Sequence, residues 1–154
     1  MTLHACPECG CILTKARSSP DHRRFFALIH AAFHHWPEGE FQPRDAEHLR
    51  AYLLVKSGHF NAIGIPTPEG YAENEALRDL YRVAVESTAK AIDEVTGFHD
   101  YRVSASGIEL LTPRSINWQT VGQKEFGRIR DAVEGLIETS LGVPADQLLR
   151  ERAA

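Results

Sequence analysis

The sequence predicts an α+β fold: a single domain of four or five helices with a small antiparallel sheet, behind a short Cys-rich N-terminal head. Three observations predict it. Apolar residues recur at helical spacing in four stretches, each bounded by capping residues or breakers. Between them lie short runs rich in β-branched and aromatic residues, two of them separated by the turn-like Ser104-Ala105-Ser106-Gly107. The chain has 154 residues, 43% of them hydrophobic, enough to bury one core without a disulfide or metal. Residues 1–16 read as the head and residues 17–154 as the domain, with no repeat, low-complexity stretch or linker.

The head leads into Cys11-Ile12-Leu13-Thr14-Lys15-Ala16-Arg17, which has strand character. The first helix starts at Ser19, an N-cap type, with Pro20 at the first helical position and Asp21 at the positive end of the dipole. Phe25, Ile29, Ala32, Phe33 and Trp36 mark its buried face, and Pro37 stops it. A second helix runs from the N-cap Asp45 to Gly58, with Leu49, Tyr52, Leu53 and Lys56 on one side. His59–Ile65 reads as a strand and 66–70 as a turn with two prolines. A long helix follows from Asn74 to Thr96, with Leu77, Leu80, Tyr81, Ala84, Val85, Thr88, Ala91, Ile92 and Val95 inward and Gly97 as its cap. Phe98–Val103 and Ile108–Thr112 form a hairpin. The last long helix is expected from Thr120, where Gln123 completes a capping box. It turns Val121, Phe126, Ile129, Val133, Leu136, Ile137 and Leu141 inward and closes at Gly142, before a short helix opened by Pro144.

The net charge of −4 conceals a gradient. Residues 1–30 are net +2, residues 31–110 net −6 and residues 111–154 neutral. Phosphate contacts depend on local Lys and Arg, so an acidic total leaves room for a basic face. No window of about 18 apolar residues exists, so no membrane span is expected. The N-terminus lacks the basic and apolar regions of a signal peptide. The three cysteines lie within six residues, a spacing that suits a reducing, cytoplasmic setting better than a disulfide framework.

His4, Cys6, Cys9 and Cys11 form His-x-Cys-Pro-Glu-Cys-Gly-Cys. The Cys-Pro-x-Cys-Gly core resembles a zinc-knuckle turn, in which Pro and Gly bend the loop so that thiolates converge on a tetrahedral ion. These four residues are the candidate ligands of a structural zinc. Against that, the second Cys-x-x-Cys of a zinc ribbon is absent, and Cys9 and Cys11 make an awkward bite. A reduced head with exposed thiols, or a redox or intermolecular disulfide, are the alternatives. On the first helix Arg23, Ala27, His30 and His34 share one edge. His30 and His34 have metal-ligand spacing but lack the intervening Glu of a metalloprotease. No nucleophile elbow, phosphate loop or dinucleotide fingerprint occurs, so nothing marks an enzyme, and a small zinc-dependent nuclease is the remaining catalytic reading.

Ser18-Ser19-Pro20-Asp21-His22-Arg23-Arg24-Phe25-Phe26-Ala27-Leu28 resembles the first helix of a lambdoid-phage and prophage family of unknown function, related to the NinB/Orf recombination mediators. Pro113-Arg114-Ser115-Ile116-Asn117-Trp118, followed by Gln123-Lys124-Glu125-Phe126, resembles its late motif. The resemblance covers residues 17–150 and leaves out the head. It implies a dimeric α/β protein of the host cytoplasm that binds DNA, single strands preferred, in recombination or replication, and that contacts single-strand-binding protein. Residues matching by position are Asp21, His22, Arg23, Arg24, Phe26, Arg114, Ser115, Lys124, Glu125 and Phe126. A sequence-tolerant single-strand binder needs bases along a groove and aromatic faces for stacking. Arg17, His22, Arg23, Arg24, Phe26, Arg114, Trp118 and Lys124 are the candidate DNA-binding residues, with Trp36 a further stacking candidate. The competing reading is an acidic phage protein that binds or inhibits a host protein, in the manner of anti-restriction or anti-CRISPR proteins. The wide apolar faces of the two long helices point to a homodimer.

Overall fold

Asp45 shows how local chemistry sets the elements. Its carboxylate accepts the His48 N–H at 2.7 Å, and a helix begins at the next residue. The structure, a computed structural model, describes residues 4–5, 12–13, 19–39, 41–117 and 121–153, of which 4–5, 12–13, 19, 152 and 153 are described by their backbone alone. In chain order the elements are β1 (His4–Ala5), β2 (Ile12–Leu13), α1 (Ser19–His34), α2 (Ala46–Lys56), β3 (Phe60–Pro66), α3 (Glu75–Thr96), β4 (Asp100–Ser104), β5 (Gly107–Pro113), α4 (Gln123–Leu141) and α5 (Ala145–Ala153). The fold is therefore α+β as expected, with five helices, a three-stranded antiparallel sheet of order β3-β5-β4 and a two-stranded antiparallel pair of β1 and β2 among the described residues. Within it the chain forms two compact units, Glu38–Arg114 and the pair Met1–Pro37 with Ser115–Ala154.

The unit Glu38–Arg114 holds the sheet, with α2 on one face and α3 on the other. Alternation along β5 separates the faces. Leu111 joins Ala51, Val55 and Phe98 in a buried cluster beneath α2, with Phe41, Tyr52 and Phe60 packed against it. Phe41 stacks on Tyr52 at 3.9 Å between ring centres, and Phe98 meets both rings edge-on. Ile108 and Leu110, with the opposite parity, face α3. Tyr81 of α3 is spliced into the ladder there. Its hydroxyl donates to the Ile65 carbonyl at 2.5 Å and accepts the Ile108 N–H at 2.9 Å. Gly107 sits at φ 147°, and a Cβ on it would lie 2.2 Å from the Ile65 carbonyl oxygen and 2.9 Å from the Tyr81 hydroxyl. Only glycine fits this corner.

The unit Met1–Pro37 with Ser115–Ala154 is helical around its core. Phe25, Leu28, Ile29 and Ala32 of α1, Phe126, Ile129, Val133 and Ile137 of α4, and Ala145 and Leu148 of α5 are buried. The Phe25 and Phe126 rings meet edge-on at 5.5 Å. Gly142, at φ 69°, caps α4, and the Glu138 carboxylate accepts the Ala145 N–H at the start of α5.

Three expectations are corrected. α4 starts at Gln123 rather than Thr120. Its N-cap is Gly122, which has no side chain to make a capping bond, and the Gln123 amide donates to the Asp21 carboxylate at 3.3 Å. Lys56 does share the side of Tyr52, lying 5.7 Å from its ring centre, and its exposed ammonium pairs with Asp100. In α2 burial extends beyond the expected side to Ala46, Ala51, Leu54 and Val55. In α3 only Tyr81 and Ala89 are buried, while Leu80, Ala84, Ala91 and Val95, expected inward, are exposed. The apolar sector of that helix is wider than the part the sheet covers.

Replacing Tyr81 by Phe leaves the Ile108 N–H and Ile65 carbonyl without their partner, so a loss of about 1–3 kcal/mol is expected in urea denaturation. Gly107→Ala should cost at least about 2 kcal/mol, since strain and overlap add at one position. A wild-type midpoint for both would show that the hydroxyl and the glycine do not hold this corner.

Candidate functional site

α1 brings the early motif together but spends much of it on structure. The Arg24 guanidinium forks onto both Glu134 oxygens, at 2.7 and 2.9 Å, and reaches Asp146 at 2.9 Å. It thereby ties α1 to α4 and α5. Its acidity is weakened well beyond the ordinary arginine value, first by the bond to Glu134 and then by that to Asp146. The same bond from Arg24 holds the Asp146 carboxyl below the usual carboxylate range. Beside it, Arg130 pairs with Asp131 at 2.8 Å and Asp21 at 3.4 Å. The hollow of roughly 520 Å³ around these groups is lined by Asp21, Arg24, Arg130, Asp131, Glu134 and Glu138, four acids against two bases. A phosphate would meet net negative charge there.

The remaining candidates are dispersed. His22 lies against Phe126, rings near-parallel at 5.3 Å, and contacts Phe26 at 5.1 Å, so both His22 and Phe26 are half-buried packing groups. Arg23 is exposed and shares its edge of α1 with the exposed His30 and His34, as the spacing predicts. Lys124 is exposed in the first turn of α4, and Arg128 is exposed one turn on. Arg114 is exposed but belongs to the other unit. Trp36 is half-buried. Arg17, Trp118, Cys6, Cys9 and Cys11 lie outside the described residues, as does the His4 side chain. Among the described residues no group of three or more His, Cys, Asp or Glu is placed to hold a metal ion. Among them, too, no helix is long and apolar enough to cross a membrane.

A second site lies away from every sequence motif. In the unit Glu38–Arg114 a groove of roughly 600 Å³ runs between α3 and the β4 side of the sheet. Tyr81, Val85, Ala89, Ile108 and Leu110 form its floor, and Tyr101 and His99 its outer wall. Tyr71 meets Tyr81 edge-on at 5.3 Å and closes one end. Arg78 and Arg82 border the groove from α3. Arg78 donates to the Ala72 carbonyl at 2.7 Å, and Arg82 lies between Asp79 at 3.6 Å and Glu86 at 3.3 Å. Tyr101 is 64% exposed and Val103 on the same strand 78%. Alternation along residues 98–103 already sets Tyr101 and Val103 on one face. What it cannot reveal is that α3 leaves that face half covered. The unit as a whole carries eight bases and thirteen acids, net −5, whereas the helical unit is net +1.

Because Asp146 is held ionised by Arg24, the stability this pair adds is present above the ordinary carboxylate pKa of about 4 and is lost as pH falls through the lowered folded value. Arg24→Ala should lower stability at pH 7 by about 1–2 kcal/mol, a solvent-screened figure for a partly exposed fork. The gap from wild type should narrow as pH drops below about 4. A gap of constant size across that range, read in denaturant midpoints, would separate Arg24 from the carboxylates.

No known protein family, curated protein or solved structure matches this chain, so its function rests on the geometry above.

Proposed function

We propose that this chain is a non-enzymatic binding protein that takes an apolar, basic segment of a partner protein into the groove between α3 and β4. One observation carries the reading. Tyr101 and Val103, 64% and 78% exposed, stand on the sheet face of Ile108 and Leu110, beside a groove lined by Val85, Ala89, Ile108 and Leu110 within the acidic unit Glu38–Arg114. Exposed apolar surface rimmed by charge is the ordinary mark of a protein interface. Its acidic surroundings favour partners with basic surfaces and speed their encounter. A phage-type protein acting on a nucleic-acid-binding host protein fits this chemistry, because such hosts present basic, partly apolar channels. Tyr101 is the expected anchor, since a part-exposed aromatic beside a cleft loses little entropy on docking.

Capture from host lysate with Tyr101→Glu and Val103→Glu combined should lose a partner that wild type retains in stoichiometric amount. Arg23→Ala should retain it. Equal recovery by all three proteins refutes the groove as the docking site.

A second reading, single-stranded DNA binding, is favoured by the exposed edge of Arg23, His30 and His34 on α1 and by the exposed Lys124 and Arg128 on α4. Here a labelled oligonucleotide should bind at low salt, and its affinity should fall steeply as salt rises and counterions are no longer released into a dilute solution. Arg23→Ala with Lys124→Ala should weaken binding to all sequences alike. No anisotropy change at low salt ends this reading.

A further inference from the structure

The two edges of the sheet are protected differently. β4 is a short edge bearing Asp100 and Arg102. The Asp100 carboxylate accepts the edge N–H of Tyr101 at 2.8 Å and pairs with Lys56, while Arg102 pairs with Glu109 and lies over the Phe60 ring. Charges and occupied backbone groups are how natural sheets prevent further pairing. β3 has neither device along most of its length. Residues 60–68, Phe-Asn-Ala-Ile-Gly-Ile-Pro-Thr-Pro, carry no charge, and only Pro66 guards one end. The Arg114 N–H bonds the His59 carbonyl and the Thr67 N–H bonds the Ser106 carbonyl, so in this antiparallel register the odd-numbered residues 59–67 face β5. The backbone groups of Phe60, Ala62 and Gly64 therefore point out of the sheet, and Asn61, Ala62, Ile63 and Gly64 are exposed.

A second surface faces the same way. The groove takes up the flank of α3 with Arg78, Arg82 and Glu86, which looks toward β4. On the opposite flank Leu80, Ala84, Ser87, Ala91 and Val95 recur at i, i+4, i+7, i+11 and i+15, all exposed, Leu80 at 65% and Val95 at 85%. Ile63 of β3, 43% exposed, lies on the α3 face of the sheet beside them.

We infer that β3 and this flank of α3 form a self-association surface, on which a second copy of the chain pairs antiparallel about a two-fold axis at Ala62. The arrangement joins two three-stranded sheets into one of six. Phe60 faces the partner's Gly64, Ala62 faces the partner's Ala62, and the outward N–H and carbonyl groups of the three residues exchange roughly six hydrogen bonds. The small side chains of Ala62 and Gly64 leave room on the α2 face, where Phe60 covers the opposing glycine. On the α3 face the apolar flanks of the two helices approach over the joint. An isologous contact needs a patch that complements itself. An uncharged strand meets that demand although the whole unit is net −5, since no like charges stand opposite one another. The flank from Leu80 to Val95, about 24 Å long, beside a strand about 23 Å long makes a contact at the small end of specific interfaces, about 1,000 Å² in total or less, which fits a weak dimer.

Sedimentation velocity on the full chain up to about 100 µM should show a dimer whose Kd lies in the micromolar range. Ala62→Lys places two ammonium groups on the axis, and Leu80→Glu places a carboxylate on the helix flank. Each should weaken the dimer at least about ten-fold. Val103→Lys, on the protected edge, should leave it unchanged. Gly64→Lys, at a position where a side chain meets open space, is the substitute if Ala62→Lys fails to fold. Amide exchange at Phe60, Ala62 and Gly64 should slow as concentration rises. A monomer at about 100 µM, a dimer indifferent to the lysine on β3, or a dimer broken by Val103→Lys would each overturn the inference.

Discussion

The Tyr81 hydroxyl determines how α3 meets the sheet. Inserted between the Ile65 carbonyl and the Ile108 N–H, it replaces one rung of the β3–β5 ladder and pins the helix to that point. Everything on this face follows from the placement. Gly107 must lack a side chain because the hydroxyl and the Ile65 carbonyl fill the space beside it. One flank of α3 turns toward β4 and encloses the groove, and the other turns past β3 with its apolar residues uncovered. Without the anchor, a 22-residue helix with only two buried side chains would have little to hold it in one position.

The helical unit relies on a different restraint. Arg24 has the charge and the motif position of a phosphate contact, yet two carboxylates from two other helices take three of its five N–H donors. A guanidinium already forked onto a carboxylate must surrender those bonds before it can take a phosphate. The early motif therefore reads as a packing signature. His22 and Phe26 wrap Phe126, Arg24 fastens the helices, and Arg23, with His30 and His34, is what this side of α1 shows to solvent.

Much of the fold was legible because its signals are local. Asp45, Asn74, Gly97 and Gly142 cap helices where the sequence places them, and the hairpin of β4 and β5 turns at the expected four residues. Less was legible wherever a residue's role depends on a distant partner. Spacing alone could not tell that Leu80 and Val95 lie beyond the reach of the sheet, since periodicity measures the width of an apolar sector and not how much of it is covered. Nor could it tell that Glu134 and Asp146 await Arg24 more than a hundred residues away, or that Gln123 turns to Asp21 rather than to its own helix start. The groove was invisible for the same reason, being made of side chains from a helix, a turn and two strands.

The division of the chain also governs the order in which it can be made. The unit Glu38–Arg114 is continuous, so all its partners have left the ribosome once β5 emerges. α1 is synthesised earlier, but the helices that receive Phe25 and Arg24 come last, about a hundred positions downstream. Until α4 has been made, the apolar side of α1 has no partner among the helices of its own unit. Domains generally fold as units in the order of synthesis. Here α1 can dock only after α4 and α5 have been made, although it precedes the whole of the unit Glu38–Arg114.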